Sequence, residues 1–318
     1  LTKLMTAYVV FRALKDGQIT LQDEVPVSEK AWRTPGSRMF IEVNRRVPVE
    51  LLLQGMIVQS GNDASVALAE YVAGSEATFA ELMNQYAREL GMLNSHFVNA
   101  TGLPAEGHLS TAADISRLAR AIIAQFPEYY RWYSQREFTY NGITQKNRNA
   151  LLWRDPSVDG MKTGMTDSAG YCLVASANRN DMRLISVVLG TKSATARAND
   201  SQALLNYGFR FFETRLLYPA GGKVTDTRVW KGNVEQASLG VRNDLYVTIP
   251  RGSYDQIQTR LDLPDRIIAP VRTDSRLGKL KVDLAGQTLA QTDLFALTGV
   301  DAGSLWQQAW DSVLLWFQ

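Results

Sequence analysis

Apolar positions along the first two-thirds of the chain recur mostly at helical spacing. Leu4, Tyr8, Phe11 and Leu14 fall three or four residues apart within residues 1–15, which predicts a helix that Gly17 can end. Residues 50–58 are apolar at Leu51, Leu52, Leu53, Met56 and Ile57, and so dense a run predicts a buried helix that delivers Ser60 at its end. Further helices are predicted over residues 64–72, over 78–90 with Gly91 as C-cap, and from Ser110 or Thr111 to about 124, where Pro127 punctuates the chain. Extended patterns interrupt them. Residues 157–166 read as a strand, and residues 171–177 and 182–189 as a hairpin joined by Asn178-Arg179-Asn180-Asp181. A long helix over 194–214 closes the first domain, assigned to residues 1–216.

The pattern changes at Leu217-Tyr218-Pro219-Ala220-Gly221-Gly222. Beyond it, short alternating runs at 245–249, 257–261 and 280–284 are separated by Gly, Pro and Asp-rich turns, which predicts a small all-β domain over residues 217–301. Residues 302–318 differ again. Leu305, Trp306, Ala309, Trp310, Val313, Leu314, Trp316 and Phe317 are apolar, with Gln307, Gln308, Asp311 and Ser312 between them. Tryptophans with one polar stripe suit a helix lying in a membrane interface; a terminal helix packed on the β domain is the alternative. The stretch has no Lys or Arg, so insertion rests on apolar contact.

Composition removes several function classes. With 34 Lys and Arg against 32 Asp and Glu, the net charge of +2 is nearly balanced and no dense basic run offers a nucleic-acid footprint. The single Cys172 cannot form an internal disulfide and reads as a buried thiol. His96 and His108 are the only histidines, and neither has metal-ligand spacing, so no metal or organic cofactor is expected. No apolar run of 18 residues predicts a spanning helix.

Candidate chemistry lies in three short pieces in a fixed order: Lys3, then Ser60-Gly61-Asn62, then Lys162-Thr163-Gly164 on the predicted strand. Each alone is unremarkable: an exposed lysine, a turn, a strand end. Together they match the Ser-x-x-Lys, Ser-x-Asn and Lys-Thr-Gly set shared by penicillin-binding proteins and serine β-lactamases. In Ser-x-x-Lys the two side chains share a helix face, so the amine can reach the hydroxyl. No lysine here has a serine three residues before it, and only for Lys3 does that position precede Leu1. The nucleophilic serine is therefore expected immediately before Leu1. Acyl transfer also needs a base, a donor to the leaving group and an oxyanion hole. Lys3 can be the base if burial and Lys162 lower its pKa. Ser60 can relay a proton, Asn62 can bind the substrate's amide backbone, and Lys162 and Thr163 can receive its carboxylate. Gly164 lets a peptide approach the strand edge.

Beyond the triplets, the run Asp159-Gly160-Met161-Lys162-Thr163-Gly164-Met165-Thr166 resembles the corresponding strand of D-alanyl-D-alanine carboxypeptidases of the penicillin-binding protein 5 and 6 group. So do Asn99-Ala100-Thr101-Gly102-Leu103, Gly107-His108-Leu109-Ser110-Thr111-Ala112, Thr248-Ile249-Pro250-Arg251-Gly252 and the aromatic tail. The resemblance covers nearly the whole chain. It implies an α/β (α+β) transpeptidase-like catalytic domain followed by a small all-β domain. It also implies removal of the terminal D-alanine from peptidoglycan pentapeptide, acylation by β-lactams, and a periplasmic enzyme attached peripherally to the inner membrane. Lys3 becomes the base, Ser60 the relay and Asn62 the backbone clamp, with the Met165 amide in the oxyanion hole and Arg197 and Arg148 near the substrate carboxylate. Thr101 stands where close relatives carry histidine, which leaves no side-chain role there.

Two other readings compete. A β-lactamase would need a deacylating base, typically in Glu-x-x-Leu-Asn, and no such string lies between Ser60 and Lys162. A non-catalytic penicillin-binding sensor or wall-binding module would not need Lys3, Ser60 and Lys162.

Overall fold

The structure, a computed structural model, describes residues 1–316; Phe317, counted above in the aromatic tail, lies outside the described residues with Gln318. The chain divides into two compact units, Leu1–Phe209 and Arg210–Gln318.

The first unit is built around helix α1 (Lys3–Lys15), whose residues from Lys3 to Phe11 are all buried. The spacing of Leu4, Tyr8, Phe11 and Leu14 predicts a one-sided stripe; instead neighbours enclose the first two turns on every side. Helices α2 (Val49–Val58), α3 (Asn62–Ala73), α4 (Glu76–Glu89) and α5 (Ala112–Gln125) supply the surrounding apolar side chains, among them Leu52, Leu53, Met56, Leu68, Phe79, Met83 and Leu118. Each fully buried Leu or Phe contributes about 1.5–3 kcal/mol. Ser75 and Thr111 cap α4 and α5 by accepting the amides of Thr78 and Asp114.

A three-stranded antiparallel sheet flanks the helices: β1 (Val158–Thr166), β2 (Gly170–Arg179) and β3 (Met182–Thr191). The register sets Lys162 opposite Val174 and Gly164 opposite Cys172. Alternation divides the strand faces: Val174 joins the α1 core, while Leu173 and Ala175 join a second core with Ala198 and Leu205 of helix α6 (Ala194–Phe211). The hairpin is tighter than the sequence suggests. Arg179 pairs with Met182, leaving Asn180 and Asp181, both at positive φ, as a two-residue turn.

The predicted helix over 194–214 ends earlier, at Phe211. Strand β4 (Phe212–Tyr218) follows at once and pairs with β7 (Leu245–Pro250), so the join assigned after residue 216 falls inside a strand. A local window cannot see a partner some thirty residues ahead. In the second unit, β5 (Lys223–Arg228), β6 (Gln236–Gly240), β8 (Gln258–Asp262), β9 (Arg276–Leu284) and β10 (Gln287–Ala296) form a sheet in the order β8-β9-β10-β6-β5. Leu239, Val247, Ile249, Leu280, Val282 and Leu294 fill its core. Helix α7 (Leu305–Leu314) starts with a capping box between Ser304 and Gln307 and buries none of its residues. No helix of the described residues is long and apolar enough to cross a membrane.

Candidate active site

The three motif pieces converge on one cleft of about 720 Å³ in the first unit, lined by Lys3, Ser60, Asn62, Lys162, Thr163, Gly164, Met165, Arg148 and Arg197. Lys3 enters it from the first turn of α1. Its Nζ donates to Asn62 Oδ1 (2.5 Å) and to the Thr101 carbonyl (2.6 Å). Burial brings the Lys3 amine down to about 7; Asp63 opposes the shift and Arg148 adds to it. Lys162, on β1, also falls well below the ordinary lysine range, first through burial and then through Lys3, Arg148 and Arg197. In the neutral Lys3 amine, the two N–H bonds satisfy the two acceptors and the lone pair is left to take a proton.

Ser60 lies between the end of α2 and the start of α3 at φ +67, the left-handed region that a side chain adopts at a cost of about 1–3 kcal/mol. Asn62 opens α3, but its side chain faces inward at both ends. Oδ1 accepts from Lys3, and Nδ2 donates to the Pro35 carbonyl at 2.6 Å. Asn62 thus holds Lys3 and the 35–37 loop, and its amide keeps a second acceptor lone pair and a second N–H at the cleft. Gly36, at φ +89, permits this approach: a Cβ there would lie 2.6 Å from Asn62 Nδ2. Gly164 has a similar reason. A Cβ on it would sit 2.8 Å from the Leu1 backbone nitrogen, so glycine lets β1 lie against the start of α1.

Thr163 is buried, whereas Met165, next but one on β1, is 55% exposed at the rim. Arg197 is buried; its Nη1 donates to the carbonyls of Gly164 (3.1 Å) and Cys172 (3.5 Å), bracing β1 against β2 from α6. Arg148 is exposed and has no ion pair or hydrogen bond among the described residues. Its neighbours fix it: Asn147 Nδ2 donates to the Gln135 carbonyl and Asn149 Nδ2 to the Gly160 carbonyl.

Several contributors carry no sequence signal of their own. Thr101 acts through its backbone carbonyl, which any side chain would leave in place. Asp63, 1% exposed, accepts the amides of Met39, Phe40, Ile41 and Ala64 and so ties the 39–41 segment to the start of α3. Its position directly after Ser-Gly-Asn, in the first turn of a helix, was the available hint.

Residues 1–193 match the family described as D-alanyl-D-alanine carboxypeptidase, and residues 212–302 match the penicillin-binding protein 5 C-terminal domain. The chain belongs to the D-alanyl-D-alanine carboxypeptidase family. It is 44% identical to D-alanyl-D-alanine carboxypeptidase DacC of Escherichia coli (strain K12), over all of this chain and 81% of that protein. Crystal structures of penicillin-binding protein 5 from Haemophilus influenzae align with a TM-score of 0.85 at 41% identity, covering 94% of this chain and 89% of that one. Penicillin-binding protein D2 from Listeria monocytogenes, in its ampicillin-bound form, aligns with a TM-score of 0.60 at 33% identity over 65% of this chain and 85% of that one. The fold class inferred from the sequence, a mixed helix-and-strand catalytic domain followed by a β-rich domain, is that of this carboxypeptidase family.

Proposed function

We propose that this chain acts as a serine-type D-alanyl-D-alanine carboxypeptidase. It removes the terminal D-alanine of peptidoglycan pentapeptide through a seryl acyl-enzyme and is acylated by β-lactams. The observation that carries this reading is the Lys3 amine, held by Asn62 Oδ1 and the Thr101 carbonyl in the same cleft as Ser60 and Lys162-Thr163-Gly164.

The nucleophile in this reading is a serine immediately before Leu1. The turn already begins at Leu1, whose carbonyl accepts the Leu4 amide at 3.0 Å, so the residue three before Lys3 shares its helix face. The Lys3 lone pair takes the serine proton as the hydroxyl attacks the carbonyl between the two D-alanines. The Met165 amide, with the serine's own amide, stabilises the oxyanion. Ser60 passes the proton to the leaving amine, the bond to D-alanine breaks, and water releases the shortened peptide. Lys162, Thr163 and Arg148 receive the terminal carboxylate. Burial and the neighbouring cations hold the Lys162 pKa well below the ordinary lysine range, and a substrate carboxylate opposes that shift and favours the protonated form. Arg197, already engaged with two carbonyls, supports the strand that the substrate lies along.

The same reading locates the enzyme in the periplasm, attached peripherally to the inner membrane through α7. In support, Trp306, Trp310 and Trp316 are 86%, 66% and 90% exposed.

Intact mass spectrometry of the serine-containing protein after benzylpenicillin, with a parallel assay of D-alanine release from a diacyl-D-Ala-D-Ala peptide, tests the function. A lasting increment of one penicillin together with D-alanine release is the expected result. Neither adduct nor release overturns it, and fast penicillin loss without D-alanine release points to a β-lactamase.

A further inference from the structure

His108 is a partly buried histidine at the cleft wall that the mechanism above does not use. Three contacts fix its ring. The Val98 amide donates to Nδ1 at 3.2 Å, which leaves the proton on Nε2. Nε2 lies 2.7 Å from Thr2 Oγ1 and so donates to it. The ring also stands edge-on to Phe97, with centroids 5.8 Å apart. Burial lowers the imidazole pKa, which favours the neutral ring that accepts from Val98.

Thr2 is buried and immediately precedes Lys3, and its carbonyl accepts the amides of Met5 and Thr6 that start α1. Lys3 in turn is held by the Thr101 carbonyl of the same 96–109 segment that carries His108. The first turn of α1 is therefore tied to that segment twice, once through the base itself and once through its neighbour. Gly102, against which Thr2 packs, lies between the two ties.

We infer that His108 is a positioning residue for this reaction: by donating to Thr2 it fixes the first turn of α1, and with it the direction of the Lys3 lone pair and of the nucleophile. The inference rests on the acyl-enzyme reading. The hydrogen bond acts on Thr2 and through it on Lys3, so its loss slows acylation; Thr2 and His108 both line the cleft. A displacement of an ångström at a reacting group costs on the order of tenfold to a hundredfold in rate.

The test uses the serine-containing enzyme and four variants: His108→Ala, His108→Gln, His108→Asn and Thr2→Val. Glutamine keeps a donor at the ε position for Thr2 but gives up the acceptor for Val98. Asparagine keeps the δ acceptor for Val98 but cannot reach Thr2. The readouts are kcat and KM for D-alanine release and the rate of penicillin acylation. Expected is a fall of about tenfold or more for His108→Ala in kcat/KM for D-alanine release and in the rate of penicillin acylation. His108→Gln should recover most of it and His108→Asn should not. Thr2→Val, nearly isosteric, should reproduce the loss and add little in combination with His108→Ala. Recovery by asparagine rather than glutamine, full activity of Thr2→Val, or an unchanged rate of penicillin acylation in His108→Ala overturns the inference. A wild-type enzyme that neither acylates nor releases D-alanine overturns the parent reading instead.

Discussion

The most exposed claim is that Lys3 is a base because its surroundings keep it neutral, and pH is the perturbation that tests it. An ordinary lysine near 10.5 is neutral in only about one molecule in 3,000 at pH 7. With its pKa brought down to about 7, Lys3 is neutral in about half. The second-order rate of acylation by a β-lactam reports the free enzyme's base. It should rise with unit slope through about pH 7, reaching roughly a tenth of its plateau at pH 6 and roughly nine-tenths at pH 8. Burial is the largest cause, so Lys3→Arg, which cannot lose its proton, should abolish the rise. Arg148 also lowers Lys3, so Arg148→Gln should move the midpoint upward, by less than about one unit because the guanidinium is exposed. The linkage has a definite sign. From pH 7 up to 10.5 the unfolded chain holds a proton on Lys3 that the folded one lacks, so this group makes stability rise with pH across that window. A flat acylation profile between pH 6 and 8, or a midpoint above 9, would rule out a neutral Lys3 as the base: the base would be another group, or the amine would be far wetter than its burial implies.

Other substitutions test the supports. Asn62→Ala removes an acceptor from the buried Lys3 amine and the donor to the Pro35 carbonyl, so chemical denaturation should show a loss of about 1–3 kcal/mol along with slower acylation. Asp63→Asn leaves one acceptor oxygen for four backbone amides, and a destabilisation of about 1–3 kcal/mol is expected, with faster hydrogen exchange confined to residues 39–41 and 64; wild-type exchange there would count against the clamp. Gly164→Ala brings a Cβ to 2.8 Å from the Leu1 nitrogen, so acylation should fall by about tenfold or more and stability by about 1–3 kcal/mol. Replacing Trp306, Trp310 and Trp316 by serine should release the protein from liposomes in co-sedimentation; equal binding by both forms would remove α7 as the attachment.

Much of the helical framework was legible because its signals are local. The apolar density of 50–58, Thr111 as a cap and the Lys162-Thr163-Gly164 strand all depend on residues within a few positions of one another. The motif order is long-range but is read directly along the chain, and it named the chemistry and its family before any geometry. Strand β4 was not legible: its helical reading fails only because 245–250 returns to pair with it. The role of Lys3 as base was read from the motif, but the groups that hold its amine, and Arg148 rather than Lys162 as the cation that lowers it, were not legible. Its acceptors lie 59 and 98 residues away, one of them a backbone carbonyl with no side-chain signature. The inward turn of Asn62, the brace from Arg197 and the tie between His108 and Thr2 are likewise set by distant segments. The order of residues along the chain thus names the groups that can act. Packing sets which of them are dehydrated, which hydrogen bonds are already taken and where a lone pair is left free, because desolvation and hydrogen-bond direction are properties of a packed neighbourhood and not of a segment.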